Sequence, residues 1–76
     1  MMSLDKLLAG QRGRVEAISG VPSVVQRLME MGLFEGEEVE VVGFAPLGDP
    51  MEVRLRDYRL SLRKNEAAGV VVSLLV

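Results

Sequence analysis

The side chains that could do chemistry in this chain are mostly carboxylates. Histidine and cysteine are absent, which removes the usual base of a nucleophilic serine and the usual nitrogen and sulfur ligands of a transition metal. The one close group of acids lies in FEGEEVE and comprises Glu35, Glu37, Glu38 and Glu40. On a strand, Glu38 and Glu40 share one face, while the valines beside them share the other. Such alternation is typical of a solvated strand face, so we predict no metal site.

The remaining residues offer no catalytic device and no cofactor site. The serines are scattered along the chain, and serines in such settings are typical of turns and helix caps. No phosphate-binding G-x-x-x-x-G-K-[ST] segment is present, and no carboxylate lies in a context that indicates a buried acid–base pair. We therefore predict that the protein is not an enzyme and binds no cofactor.

Length and composition indicate one small domain over residues 1–76. Hydrophobic residues make up 49% of the chain, but with one tyrosine, two phenylalanines and no tryptophan the core must be aliphatic. The net charge of −2 argues against a dedicated nucleic-acid binder, which usually has a basic excess. Neither a signal peptide nor an apolar run of roughly 20 residues is present. We expect a cytoplasmic protein that does not insert into the membrane.

The elements that position these residues begin with a strand and a helix. GRVEAI, from Gly13 to Ile18, alternates as a strand does. A helix is predicted next, because Ser23 and Gln26 have the spacing of a capping box and an apolar stripe follows at helical spacing. Gly32 ends this helix, and Leu33 beyond it makes the hydrophobic contact of a Schellman end.

Four further segments are predicted as strands, namely EVEVVGF, MEVRLRD, YRLSLRK and VVVSLLV. A tight turn at Asp57 and Tyr58 joins the second of these to the third. NEAAG is predicted to form one helical turn capped by Asn65. The fold class is therefore mainly β, a small SH3-like barrel of about five strands with one short α-helix between the first and second strands. Closure of such a barrel is expected to hide the strand edges.

The segment FAPLGDP, which starts at Phe44, is longer and stiffer than a hairpin turn requires. Its two prolines restrict the backbone, so less conformational entropy is lost when a partner docks there. We predict that Phe44 and Pro46 are lids on the core, and that Leu47, Gly48 and Asp49 face a partner. The alternative is a loop that only caps one end of the barrel.

Two other places are predicted to contact a partner. Leu33 and Phe34 are adjacent at the end of the helix. One of them is expected to make the capping contact and the other to face the partner, and we favour Phe34 as the residue that faces the partner. Arg54 and Arg56 belong to a basic hairpin opposite the acidic strand. This hairpin could be a docking face or an RNA-binding strip. We favour a third interpretation, a solvated hairpin with cross-strand ion pairs.

The closing strand VVVSLLV has one polar residue in seven, so its second face needs a cover. The N-terminal segment from Leu4 to Leu8 is available to cover part of it. We predict that Leu75 and Val76 remain uncovered and support weak self-association, because an exposed apolar strip on a small domain marks an interface.

Four motifs follow one another along almost the whole chain. Residues from Leu4 to Gly20 read LxxLxxGxxGxVxxIxG, and RLMEMGL, APLGDPMEV and LSLRKNEA follow in that order. In this combination the chain resembles FeoA, the family of small cytosolic proteins of bacterial ferrous-iron uptake. Asp57 departs from the pattern, because glycine is expected there in the family.

The resemblance implies an SH3-like barrel and a partner, FeoB, a membrane iron transporter with a cytosolic GTP-hydrolysing domain. The protein would support or regulate transport, recruited to the inner face of the membrane by FeoB. Two alternatives stay open. A small-barrel RNA-binding protein fits the basic hairpin, but the acidic net charge and the few aromatic residues weaken it. A stand-alone metal-binding relative of the SH3-like domain of metal-dependent repressors fits the predicted fold.

Overall fold

Alternating apolar and polar residues build the six strands of one antiparallel sheet. A computed structural model describes all 76 residues. The strands are β1 (Met2–Ser3), β2 (Arg12–Ile18), β3 (Glu38–Phe44), β4 (Met51–Leu55), β5 (Tyr58–Leu62) and β6 (Val70–Leu75); the helices are α1 (Pro22–Glu30) and α2 (Lys64–Ala67), with a 3-10 turn at Leu4–Lys6. The strand order in the sheet is β1-β6-β2-β3-β4-β5. The five predicted strands are all present, and the two-residue β1 is added to them.

The core is wholly aliphatic, as the composition predicted. Alternation along β4 turns Met51, Val53 and Leu55 inward, and the residues between them face out. The buried side chains form one cluster from all the larger elements: Leu4, Leu7, Val15, Leu28, Leu33, Val39, Val41, Met51, Val53, Leu55, Leu62, Ala67, Val70 and Val72. No polar or charged residue is buried among them.

The N-terminal segment covers part of the closing strand, as expected. β1 pairs with β6 through Met2 and Val72, and the 3-10 turn then carries Leu4 and Leu7 into the core. Leu8 stays exposed, so only part of the predicted cover forms. The two edges of the sheet, β1 and β5, do not pair with each other. The expectation that closure hides every edge is therefore wrong, because β1 pairs only with β6 and β5 only with β4.

The helix α1 forms where it was predicted, but its cap differs. Val21 is the N-cap in an extended conformation, and no side chain bonds to the first turn. Pro22 occupies the first helical position, where its missing N–H and fixed φ cost nothing. Ser23 is thus already inside the helix, so the predicted capping box of Ser23 and Gln26 does not form.

The end of α1 has the predicted Schellman geometry. Gly32 has a φ of +103°. The N–H of Gly32 donates to the carbonyl of Met29, and the N–H of Leu33 donates to the carbonyl of Leu28, both at 3.0 Å. The hydroxyl of Tyr58, at the start of β5, donates to the carbonyl of Met31 at 2.9 Å. The last turn of α1 is therefore tied to the β4–β5 hairpin.

Two smaller predictions shift by one or two residues. The turn of the β4–β5 hairpin consists of Arg56 and Asp57, with Arg56 at a φ of +53°, because Tyr58 already pairs with Leu55. The short α2 begins with Arg63 as its N-cap, and Asn65 does not cap it. The predicted Asp57–Tyr58 turn and the Asn65 cap are both wrong, because Tyr58 is already the first residue of β5 and Asn65 lies inside α2.

The junction between α1 and the hairpin predicts a difference between two glycine substitutions. Gly32 and Gly36 both have positive φ, but only a Cβ at position 32 would collide with the Tyr58 hydroxyl. Gly36→Ala should cost about 1 kcal/mol for the left-handed backbone. Gly32→Ala should cost roughly 1 kcal/mol more, because the hydroxyl loses its hydrogen bond. Urea unfolding measures both.

Tyr58→Phe supplies the control for this prediction, because it removes the hydroxyl that the new methyl group would displace. In that background the difference between the two costs should fall well below 1 kcal/mol, because only the ring carbon Cζ, 3.3 Å from the Cβ position of residue 32, still lies close to it. Equal costs already in the wild-type background would contradict the collision.

Candidate functional site

The β3–β4 loop, Ala45–Pro50, is a closed and well-defined turn. The N–H of Ala45 donates to the carbonyl of Pro50 at 2.9 Å, and the N–H of Gly48 donates to that of Ala45 at 2.7 Å. Gly48 has a φ of +92°, a conformation that glycine adopts without strain. These contacts place Leu47 at the tip of the loop with 98% of its surface exposed.

Lys64, the first residue of α2, anchors this loop to the body of the protein. Its N–H donates to the Asp49 carboxylate at 2.9 Å, and its Nζ lies 5.1 Å from the centre of the Phe44 ring, within cation–π range. Asp49 thus positions the loop. Phe44 and Pro46 are both exposed, so the prediction that they act as lids on the core is wrong. Phe44 packs against Lys64 instead.

The two candidates at the end of α1 separate. Leu33 is completely buried, because the Schellman end directs it into the core beside Leu28. The prediction of Leu33 as a partner-facing residue is therefore corrected. Phe34, the next residue, has 49% of its surface exposed. The chain has three aromatic residues, Phe34, Phe44 and Tyr58, and all three lie outside the core.

The arginines of the basic hairpin form ion pairs with carboxylates on β3 and just before it. Arg54 bonds to Glu40 at 2.6 Å, and Arg56 bonds to Glu37 at 2.6 Å. The hydrogen bond from Arg56 holds the pKa of Glu37 below its ordinary value, and the same contact raises the pKa of Arg56. The favoured interpretation, cross-strand ion pairs, is confirmed. At these exposures each pair stabilises the fold little.

Arginines outside the hairpin tip also form ion pairs with carboxylates. Three further ion pairs join Arg59 to Glu52, Arg12 to Glu38 and Arg27 to Glu66. Only Arg14 and Arg63 among the arginines have no carboxylate within ion-pair distance.

The predicted partner-binding residues form two groups. Leu47, Gly48 and Asp49 follow β3, whereas Phe34 precedes it. The carbonyl of Phe34 accepts a hydrogen bond from the N–H of Glu37, whose carboxylate pairs with Arg56 of the hairpin. A seven-residue strand is roughly 20 Å long at about 3.3 Å per residue. The structure therefore brings each group together locally but keeps the two groups at opposite ends of β3.

A cleft between α1 and α2 was missed by sequence reasoning. It has a volume of about 450 Å³, and its walls come from residues 19–24 and 63–69. No local pattern indicates it, because the two segments are about 40 residues apart in the chain and meet only in the fold. The Lys64 anchor was missed for the same reason.

Two further observations bear on the function classes. Nowhere do three or more carboxylate, imidazole or thiol side chains come together in an arrangement that could hold a metal ion. No helix of the structure is both long enough and apolar enough to cross a membrane.

Comparison with known proteins places these features in a family. Solved FeoA structures superpose closely: that of Chlorobium tepidum has a TM-score of 0.92 and 44% identity, with 99% of this chain and 71% of that chain covered. FeoA of Stenotrophomonas maltophilia, described as a procaryotic SH3 domain protein complexed with zinc, has a TM-score of 0.83 and 34% identity, with 96% and 91% covered. The fold is thus a small SH3-like domain, and the predicted fold class is confirmed.

Sequence comparison names the family. The family model described as FeoA domain matches residues 2–74, and the chain belongs to the FeoA family. A fusion protein of Porphyromonas gingivalis, Fe(2+) transport protein A/Fe(2+) transporter FeoB, is 36% identical over 74 residues. That match covers 97% of this chain and 9% of the fusion protein.

The predicted self-association strip is altered at one position. Leu75 is half-buried, whereas Leu74 is 45% exposed and Val76 is fully exposed. Leu74 lies opposite Gly13 in the β2–β6 register, and Gly13 has no side chain to cover it. Leu74 therefore replaces Leu75 as the uncovered leucine of this strand.

We expect weak self-association through this strip, visible at high concentration. Leu74→Glu should abolish it, because a charge would replace the apolar contact, and Leu75→Glu should weaken it less. Sedimentation velocity over a hundredfold concentration range measures the effect. A single monomeric species for the wild-type protein throughout that range would contradict the prediction.

Proposed function

We propose that this chain is an accessory protein of ferrous-iron uptake that binds the cytosolic part of a FeoB-type transporter. The β3–β4 loop makes the central contact, with Leu47 inserted into an apolar pocket of the partner. The chain has no catalytic role in this scheme. It acts by binding, on the cytoplasmic side of the membrane.

The observation that carries this proposal is the position of Leu47. A leucine that is 98% exposed gains almost no free energy of burial from its own fold. Its burial in a partner contributes about 1.5–3 kcal/mol. The loop is already fixed by its own hydrogen bonds and by Lys64, so little conformational entropy is lost on docking.

The fusion protein of Porphyromonas gingivalis supports the choice of partner. It joins the two named proteins in one chain, and the match covers 97% of this chain, which itself matches the FeoA domain. A covalent link raises the effective concentration of one module at the other. Such a link is useful when the two modules act on each other.

The RNA-binding alternative is less well supported. A phosphate-tracking strip needs free cations, but Arg54, Arg56 and Arg59 each have a carboxylate partner. The three aromatic residues also lie on separate elements, so they form no stacking platform on one strand face.

Binding of the purified cytosolic GTPase part of a FeoB-type transporter from the same genome tests the proposal. Leu47→Ser should weaken binding by about tenfold or more, since the loss of roughly 1.4 kcal/mol of apolar contact corresponds to a factor of ten. Isothermal titration calorimetry measures the dissociation constant.

Leu74→Ser is the matched control, because it makes the same substitution at another exposed leucine and should leave the affinity unchanged. Phe34→Ser tests whether the opposite end of β3 also contributes to binding of the transporter. No binding by the wild-type protein, or equal affinity for Leu47→Ser and the wild type, would contradict the proposal.

A further inference from the structure

The cleft between α1 and α2 has fixed walls. The N–H of Ser19, after β2, donates to the carbonyl of Gly69 at 2.8 Å, and any Cβ at Gly69 would strike the Ser19 carbonyl oxygen. On the other side, an ion pair between Arg27 and Glu66 joins the two helices. The cleft is therefore preorganised, and its occupant need not order the walls.

The lining of the cleft combines an apolar wall with one free cation. Val21 is 63% exposed although it is aliphatic, and Val24 beside it is half-buried. Arg63 lines the cleft and has no carboxylate within ion-pair distance. The one acid of the lining, Glu66, is occupied by Arg27 and by the N–H of Arg63.

Arg63 also connects the cleft to the β3–β4 loop. A hollow of about 270 Å³ lies on that side, and Arg63, Asp49 and Pro50 line it. The surface thus runs from Leu47 through Asp49 and Arg63 to the valine wall. A partner segment docked on the loop would reach the cleft without leaving the surface.

From this arrangement we propose that the cleft binds a partner peptide segment in which an aliphatic side chain stands next to a carboxylate. The aliphatic group packs on Val21 and Val24, and the carboxylate accepts hydrogen bonds from the guanidinium of Arg63, which suits a bidentate contact. The chemistry of the segment follows from the cleft alone. Its assignment to the transporter rests on the proposed function.

A titration of the isotope-labelled full chain with two probe peptides tests this proposal by NMR. The first is an acetylated five-residue peptide that alternates glutamate and leucine, and the second replaces its glutamates with lysines. The acidic peptide should cause saturable amide shifts in residues 19–24 and 63–69, and the basic peptide should cause none there. No saturable shift, or equal shifts with both peptides, overturns the proposal.

Variants identify the groups that bind the peptide. Arg63→Glu should weaken binding of the acidic peptide by about tenfold or more, whereas Arg14→Glu, at the other unpaired arginine, should leave it unchanged. Val21→Ser removes part of the apolar wall but places a preferred residue at the N-cap, so binding should weaken while the Tm stays equal or rises. Equal weakening by Arg63→Glu and Arg14→Glu would overturn the proposal.

The cytosolic part of the transporter distinguishes this inference from the proposed function. If the wild type binds it and Arg63→Glu binds it equally well, the cleft assignment fails while the proposed function stands. If the wild type does not bind it but the acidic peptide still shifts the cleft residues, the proposed function fails and the cleft remains a binding site for such segments.

Discussion

Burial of the aliphatic cluster is the interaction on which the rest of the molecule depends. A domain of 76 residues removes only about 60% of its unfolded surface from water, so it must use nearly every inward position of its strands. The 3-10 turn and α1 supply the remaining cover through Leu4 and Leu28. Leu47, with 98% of its surface exposed, lies outside this cluster, which leaves it available for the partner contact that we propose.

The polar contacts of the structure act on position more than on stability. Three polar contacts each join a segment outside the sheet to a neighbour. They are the hydrogen bond from the N–H of Lys64 to Asp49, the hydrogen bond from the N–H of Ser19 to Gly69, and the ion pair of Arg27 with Glu66. Individually such exposed contacts contribute little free energy. Together they fix the β3–β4 loop and both walls of the cleft relative to the core, so that the proposed docking surface is already formed in the free protein.

The features that were predictable from the sequence are those set by local patterns. Alternation gave the inward residues of β3 and β4, and Gly32 followed by a leucine gave the end of α1. The features that were not predictable depend either on which of two adjacent residues begins an element or on contacts between distant segments. Pro22 begins α1 ahead of Ser23, the pairing of Tyr58 with Leu55 moves the hairpin turn, and Gly13 leaves Leu74 uncovered. The cleft belongs to this second class, because its walls meet only in the folded chain.

We propose that the β3–β4 loop and the adjacent cleft form one docking surface for the transporter. Hydrogen–deuterium exchange of the chain, with and without the cytosolic part of a FeoB-type transporter, tests it most directly. We expect slower exchange in residues 45–50, 19–24 and 63–69 of the complex, and unchanged exchange at the β4–β5 hairpin tip. Protection confined to Phe34 and the hairpin tip, with the loop and the cleft exchanging as in the free protein, would contradict it.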